Sequence, residues 1–122
     1  MARVLIVDDT DIVRKALELA VRKMGHDAES TSDALRALDI ARERPPDLAL
    51  LDYRMPVMDG VTLFAEMQSA LGDCCPKVLF VSATPPDEVR ARATPALRAV
   101  AYVKKPFHLD DLSRVVNEAL AA

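Results

Sequence analysis

The sequence predicts an α/β fold of three layers: a doubly wound, five-stranded parallel sheet with five helices. Three observations lead there. Short apolar runs alternate with helical stripes five times along the chain, and that alternation calls for a parallel sheet with helices on both faces. The first apolar run is nearly continuous rather than alternating, as a strand buried on both faces is. The 122 residues, 51% of them hydrophobic, suit a single domain over residues 1–122 with a core of its own.

Arg3 to Val7 is the first apolar run. From Asp11 to Met24 the period turns helical. Val13, Ala16, Leu17, Ala20, Val21 and Met24 fall on one stripe, and Gly25 follows as a C-terminal cap. Asp27 to Ser30 is a weak second strand. Ser32 is placed to cap a second helix, which runs to about Arg44 and stops at Pro45-Pro46. Leu48 to Leu51 is the third strand, ending at Asp52, and Tyr53 to Asp59 is loop. A third helix spans Gly60 to Leu71, with Val61, Phe64, Met67 and Leu71 on one side. Lys77 to Val81 is the fourth strand, closing at Ser82.

Pro86 to Arg98 is helical in pattern but contains Pro95. A proline in a helix interior costs roughly 3 kcal/mol, so the expectation is a short helix from Pro86 to about Ala93 and then a break. Ala101 to Val103 is the fifth strand. The last helix starts near His108 or Leu109 and buries Leu112, Val115, Val116, Ala119 and Leu120. Right-handed crossovers leave few topologies, and the flavodoxin-like strand order 2-1-3-4-5 leads among them.

Composition narrows the function. A net charge of −3 offers no basic excess for a nucleic-acid surface. No apolar run approaches the ~20 residues of a membrane span, and the first residues turn acidic too soon for a signal peptide. Cys74 and Cys75 are adjacent, a spacing that pairs badly. Free thiols and a cytoplasmic setting are expected.

Four chemical signals stand at C-terminal ends of predicted strands: Asp8-Asp9 after the first, Asp52 after the third, Ser82 at the end of the fourth and Lys105 after the fifth. Ligands of open parallel sheets bind at that rim. Three carboxylates there repel one another unless one is protonated or a cation binds. Oxygen ligands alone suit a hard ion such as Mg2+. A carboxylate beside such an ion can act as a nucleophile toward phosphorus. Phosphoryl transfer needs mainly alignment and charge neutralisation, for which Lys105 supplies an ammonium and Ser82 a hydroxyl. Each signal also has a plain reading: a helix cap for Asp8-Asp9, a loop cap for Asp52, a solvated lysine for Lys105.

Four blocks, in order, together resemble the receiver domains of two-component response regulators: Val7-Asp8-Asp9, Leu51-Asp52 through Gly60, Val81-Ser82-Ala83, and Tyr102 through Phe107. The resemblance covers nearly the whole chain. It implies that Asp52 is the phosphoacceptor. It implies Mg2+ held by Asp9 directly, by Asp8 mainly through water, by Asp52 and by the backbone carbonyl of Arg54. Lys105, directly before Pro106, matches the lysine that holds the phosphoryl oxygen. Ser82 matches the switch hydroxyl and Tyr102 the aromatic that turns inward with it. Arg54 and Thr84 match variable positions that tune acyl-phosphate lifetime. The implied partner is a histidine kinase or a histidine phosphotransfer protein, with no direct contact to nucleic acid or membrane. The implied role is a signalling switch that assists its own phosphorylation and dephosphorylation, not an enzyme, read out at the face of the fourth helix, fifth strand and fifth helix. Leu97-Arg98-Ala99 departs from the family's usual Ala-Gly-Ala turn, and Pro85-Pro86 and Pro95 leave the shape of that face open.

Two alternatives remain at this stage. Asp9-Thr10-Asp11 after an apolar strand resembles the acid pair of haloacid-dehalogenase-type phosphatases, with Asp9 as nucleophile, although the chain has no segment for a substrate cap. A receiver used only for binding is the other. His26 and His108 lack metal-like partners in the sequence, and Arg90, Arg92, Arg98 and Lys104 form at most a solvated basic patch.

Overall fold

A computed structural model of the chain describes residues 1–93 and 97–121. Five strands, β1 (Arg3–Val7), β2 (Asp27–Thr31), β3 (Leu48–Leu51), β4 (Lys77–Ser82) and β5 (Ala101–Lys104), alternate with α1 (Asp11–Lys23), α2 (Ala34–Glu43), α3 (Gly60–Leu71), α4 (Pro86–Arg92) and α5 (Leu109–Ala121). All neighbouring strands pair in parallel, in the order 2-1-3-4-5. The expected three-layer, doubly wound sheet is the observed one.

Strand side chains alternate between faces, and the core divides accordingly. Leu5, Val7, Ala49, Leu51, Val78 and Phe80 pack with residues of α2 and α3. Val4, Ile6, Leu48, Leu50, Leu79 and Val81 pack with Leu17 and Val21 of α1 and Leu112 and Val116 of α5. Each large aliphatic or aromatic side chain buried this way stabilises the fold by about 1.5–3 kcal/mol. Both faces of the central strands are thus covered, which is why β3 contains no polar residue.

Several local expectations shift. The cap of α2 is Asp33, not Ser32: its carboxylate accepts from the amide of Leu35 at 2.9 Å. Thr31 extends β2 by a residue, because the weak second strand pairs with β1 along its full length. Gly25 follows α1 at φ +89°, a left-handed backbone that side chains resist. The fourth helix is short, as expected, with Ala93 already extended at its C-terminus. Pro95 itself lies outside the described residues. Both cysteines are free.

Candidate functional site

Three backbone hydrogen bonds continue the parallel ladders one residue past the strands. The amide of Asp8 donates to the carbonyl of Thr31 (3.2 Å), that of Asp52 to Val7 (2.9 Å) and that of Lys105 to Ser82 (2.8 Å). The ladders thereby set Asp8, Asp52, Ser82 and Lys105 along one rim. Asp8, Asp52 and Ser82 are buried, while Asp9 is exposed. Carboxylate oxygens of Asp8, Asp9 and Asp52 all lie within 4.8 Å of one another.

The ammonium of Lys105 bridges this group. Its Nζ is 2.7 Å from Oδ2 of Asp8 and 3.1 Å from Oδ2 of Asp52. The other oxygen of Asp8 accepts from the amide of Thr10 at 2.9 Å, and its main-chain carbonyl accepts from Nη1 of Arg14 at 2.9 Å. Asp8 is therefore fixed on every side. Burial, the largest influence, pushes its carboxyl above the ordinary 3.8, and the charge of Asp52 adds to this; the Lys105 and Thr10 hydrogen bonds pull the other way. Lys105 feels the reverse balance. Burial pulls it down, but the hydrogen bond to Asp8 and the charges of both carboxylates outweigh that and hold it above 10.5, as an ammonium.

With its acids ionised, the cluster sets three carboxylates against one ammonium. Two negative charges are left over on an all-oxygen set, which suits a hard divalent cation.

The remaining predicted residues stand close to this rim but make different contacts. The Ser82 hydroxyl accepts from the amide of Thr84 at 3.2 Å. Thr84 in turn accepts from Nε of Arg54 at 3.2 Å, which ties the loop after β3 to the loop after β4. Tyr102, on β5, is half-buried and stacks on Phe80 with ring centres 5.6 Å apart and planes at 14°. Asp11 is the first turn of α1 and pairs with Arg14, as expected of a helix residue.

Two supporting residues escaped the sequence reading. Gly60 abuts the backbone of Asp52: a Cβ there would overlap the Asp52 carbonyl oxygen and press on the Phe80 ring. The Asp-Gly pair opening a helical stripe was the available signal. Arg14 gave none, because its contact with Asp8 depends on how α1 leaves the sheet. Elsewhere, Nδ1 of His26 accepts from the amide of Ala2, His108 is exposed, and two arginines of the suspected basic patch are paired, Arg90 with Asp87 and Arg92 with Asp59.

A family model described as "Response regulator receiver domain" matches residues 4–117. The chain is 38% identical over 120 residues to the regulatory protein AtoC of Escherichia coli (strain K12), covering 97% of this chain and 25% of that protein. It is 34% identical to a putative transcriptional regulator of Pseudomonas aeruginosa, covering 99% of this chain and 58% of the relative. The chain thus spans about a quarter of the first relative and less than two thirds of the second. The crystal structure of a CheY-like receiver domain protein from Methanospirillum hungatei JF-1 superposes with a TM-score of 0.89 at 26% identity, covering 99% and 94% of the two chains. The receiver domain of the sensor histidine kinase PA1611 from Pseudomonas aeruginosa PAO1, described with a magnesium ion in its active-site cleft, shares the fold at a TM-score of 0.86 and 21% identity, covering 99% and 98%.

Proposed function

Since the chain belongs to the response regulator receiver domain family, the phosphoacceptors of two-component signalling, we propose that Asp52 is the residue that takes the phosphoryl group. The single observation that carries this is the buried carboxylate of Asp52, 3.1 Å from the Lys105 ammonium and grouped with the oxygens of Asp8 and Asp9. Asp9, the nucleophile of the phosphatase alternative, is exposed instead.

The donor is a phosphohistidine on a histidine kinase or phosphotransfer protein. An oxygen of Asp52 bonds to phosphorus as the phosphorus–nitrogen bond breaks, and the imidazole leaves and takes a proton. Mg2+ fits the leftover charge and the oxygen ligands. Asp9, Asp52 and the carbonyl of Arg54 would hold it, with Asp8 acting mainly through water. Once bound it neutralises the equatorial oxygens of the transferring group. The Lys105 ammonium lies between Asp8 and Asp52 and neutralises a further oxygen. Ser82 must release the amide of Thr84 to turn its hydroxyl toward the phosphoryl group, and Tyr102 follows on β5. Differential contact with the phosphorylated site then shifts the balance between two existing states of the α4–β5–α5 face.

We read residues 1–122 as one receiver domain that assists its own phosphorylation and dephosphorylation. Among the described residues no helix is long and apolar enough to cross a membrane. Incubation with Mg2+ and acetyl phosphate tests the assignment by intact mass and peptide mapping. Wild type gains one phosphoryl group at Asp52, and Asp52→Asn gains none. Label on Asp9 would favour the phosphatase reading, and no label on wild type a binding-only domain.

A further inference from the structure

The aromatic contact between α4 and β5 has a second layer. The guanidinium carbon of Arg90 sits 4.3 Å from the centre of the Tyr102 ring, well within cation–π range. Tyr102 stacks on Phe80. Phe80 meets Phe64 edge-on at 6.3 Å and borders Gly60, which abuts the backbone of Asp52. A continuous run of packed groups therefore leads from the acidic rim to the first turns of α4.

Little else fastens α4. Among its described residues only Val89 is buried. Arg92 reaches Asp59 at 3.7 Å with its side chain 64% exposed. The Arg90–Asp87 pair lies within the helix, and Asp87 is 97% exposed, so it orients the guanidinium without tying α4 to anything. Arg90 on the Tyr102 ring is the charged contact that joins this helix to β5.

We propose that Arg90 is a positioning residue of the switch: it clamps the Tyr102 ring, so that α4 moves with the ring when Asp52 is phosphorylated. This rests on the Asp52 reading above. A cation over an aromatic face is attracted to the ring quadrupole, so rotation of Tyr102 carries the attractive face away and leaves α4 with one buried side chain to resist following. Losing the clamp should loosen α4 without touching the chemistry at the rim.

The test compares wild type, Arg90→Met and Arg90→Lys by amide exchange and by NMR of the tyrosine rings, with Tyr53, next to Asp52, reporting that the rim itself is loaded equally in all three. Exchange of α4 amides should rise about two- to fivefold in Arg90→Met, the range a cation–π contact accounts for, and recover in part in Arg90→Lys. Mg2+ and beryllofluoride should shift both the Tyr102 ring and the α4 amides of wild type. In Arg90→Met the ring should still respond while the α4 response shrinks. Unchanged exchange with a full α4 response would overturn the clamp. Faster exchange with a full α4 response would leave Arg90 a merely structural contact and overturn its positioning role. If wild type itself ignores beryllofluoride, the Asp52 reading fails and the coupling with it, whereas a wild-type response alongside an unaltered Arg90→Met sinks the clamp alone.

Discussion

Asp8 is held at its amide, its carbonyl and both carboxylate oxygens, whereas α4 keeps one of its seven residues in the core. The first region is fixed where charge must be aligned within tenths of an ångström. The second is lightly fastened, on the face proposed to switch. α3, on the same side of the sheet as α4, shows the contrast within helices: Gly60, Val61, Leu63, Phe64 and Met67 are all buried. How firmly each helix is fastened follows from how many apolar side chains it commits to the core, and local stability is expected to vary accordingly.

The widest gap should appear on truncating a core residue in each helix. Met67→Ala in α3 is expected to lower global stability by about 2–5 kcal/mol in urea unfolding. Val89→Ala should cost less, about 1–2 kcal/mol for its two buried methyls, with faster exchange concentrated in α4. Equal global losses would erase the distinction between the two regions.

Lys105→Met probes the rim. Removing one partner of a buried pair costs about 3–5 kcal/mol when burial is complete, and with the Lys105 side chain 15% exposed about 3 kcal/mol is expected at neutral pH. The raised Lys105 pKa fixes the sign. Its stabilising contribution is full below 10.5 and is lost only as pH rises through the still higher folded value. A loss in the variant that is absent at pH 7 would contradict the charge bridge. Gly60→Ala follows at about 1–3 kcal/mol, because its methyl meets the Asp52 backbone and not a flexible side chain; phosphorylation of Asp52 should slow along with the loss of stability.

Asp8→Asn should act in the opposite direction. The Asp8 carboxyl is held above 3.8 chiefly by burial. Its relative stabilisation is therefore full below 3.8 and disappears as pH rises through the folded value, so at pH 7 its charge weighs on the metal-free fold. The asparagine variant should be more stable than wild type at pH 7 without Mg2+, and that advantage should vanish in acid. Mg2+ should narrow the gap at pH 7 by stabilising wild type. Urea midpoints across pH, with and without the ion, check both. A destabilised variant at pH 7 would mean that the Lys105 and Thr10 bonds outweigh burial.

The sequence showed most of the architecture, because its signals are local. The stripe from Val13 to Met24 and the run from Leu48 to Leu51 each declare their element within a few residues. The rim was legible for a related reason: strands that all run parallel end on one side, so a polar residue at each end had to arrive there. Caps were less legible. Ser32 and Asp33 are both good capping residues, and only the direction in which the chain enters α2 selects Asp33.

What the sequence by itself determined is the alternation of elements, the faces they bury, and the convergence of Asp8, Asp52, Ser82 and Lys105. Only the tertiary structure decided that Gly60 leaves room for the Asp52 backbone, that Arg14 anchors Asp8, and that Arg90 lies on Tyr102. Each of these contacts joins a strand or its end to the neighbouring helix across the segment between them. Their distances depend on how helices leave and cross the sheet, and hydrophobic periodicity, which sorts each residue to a face, carries no measure of that.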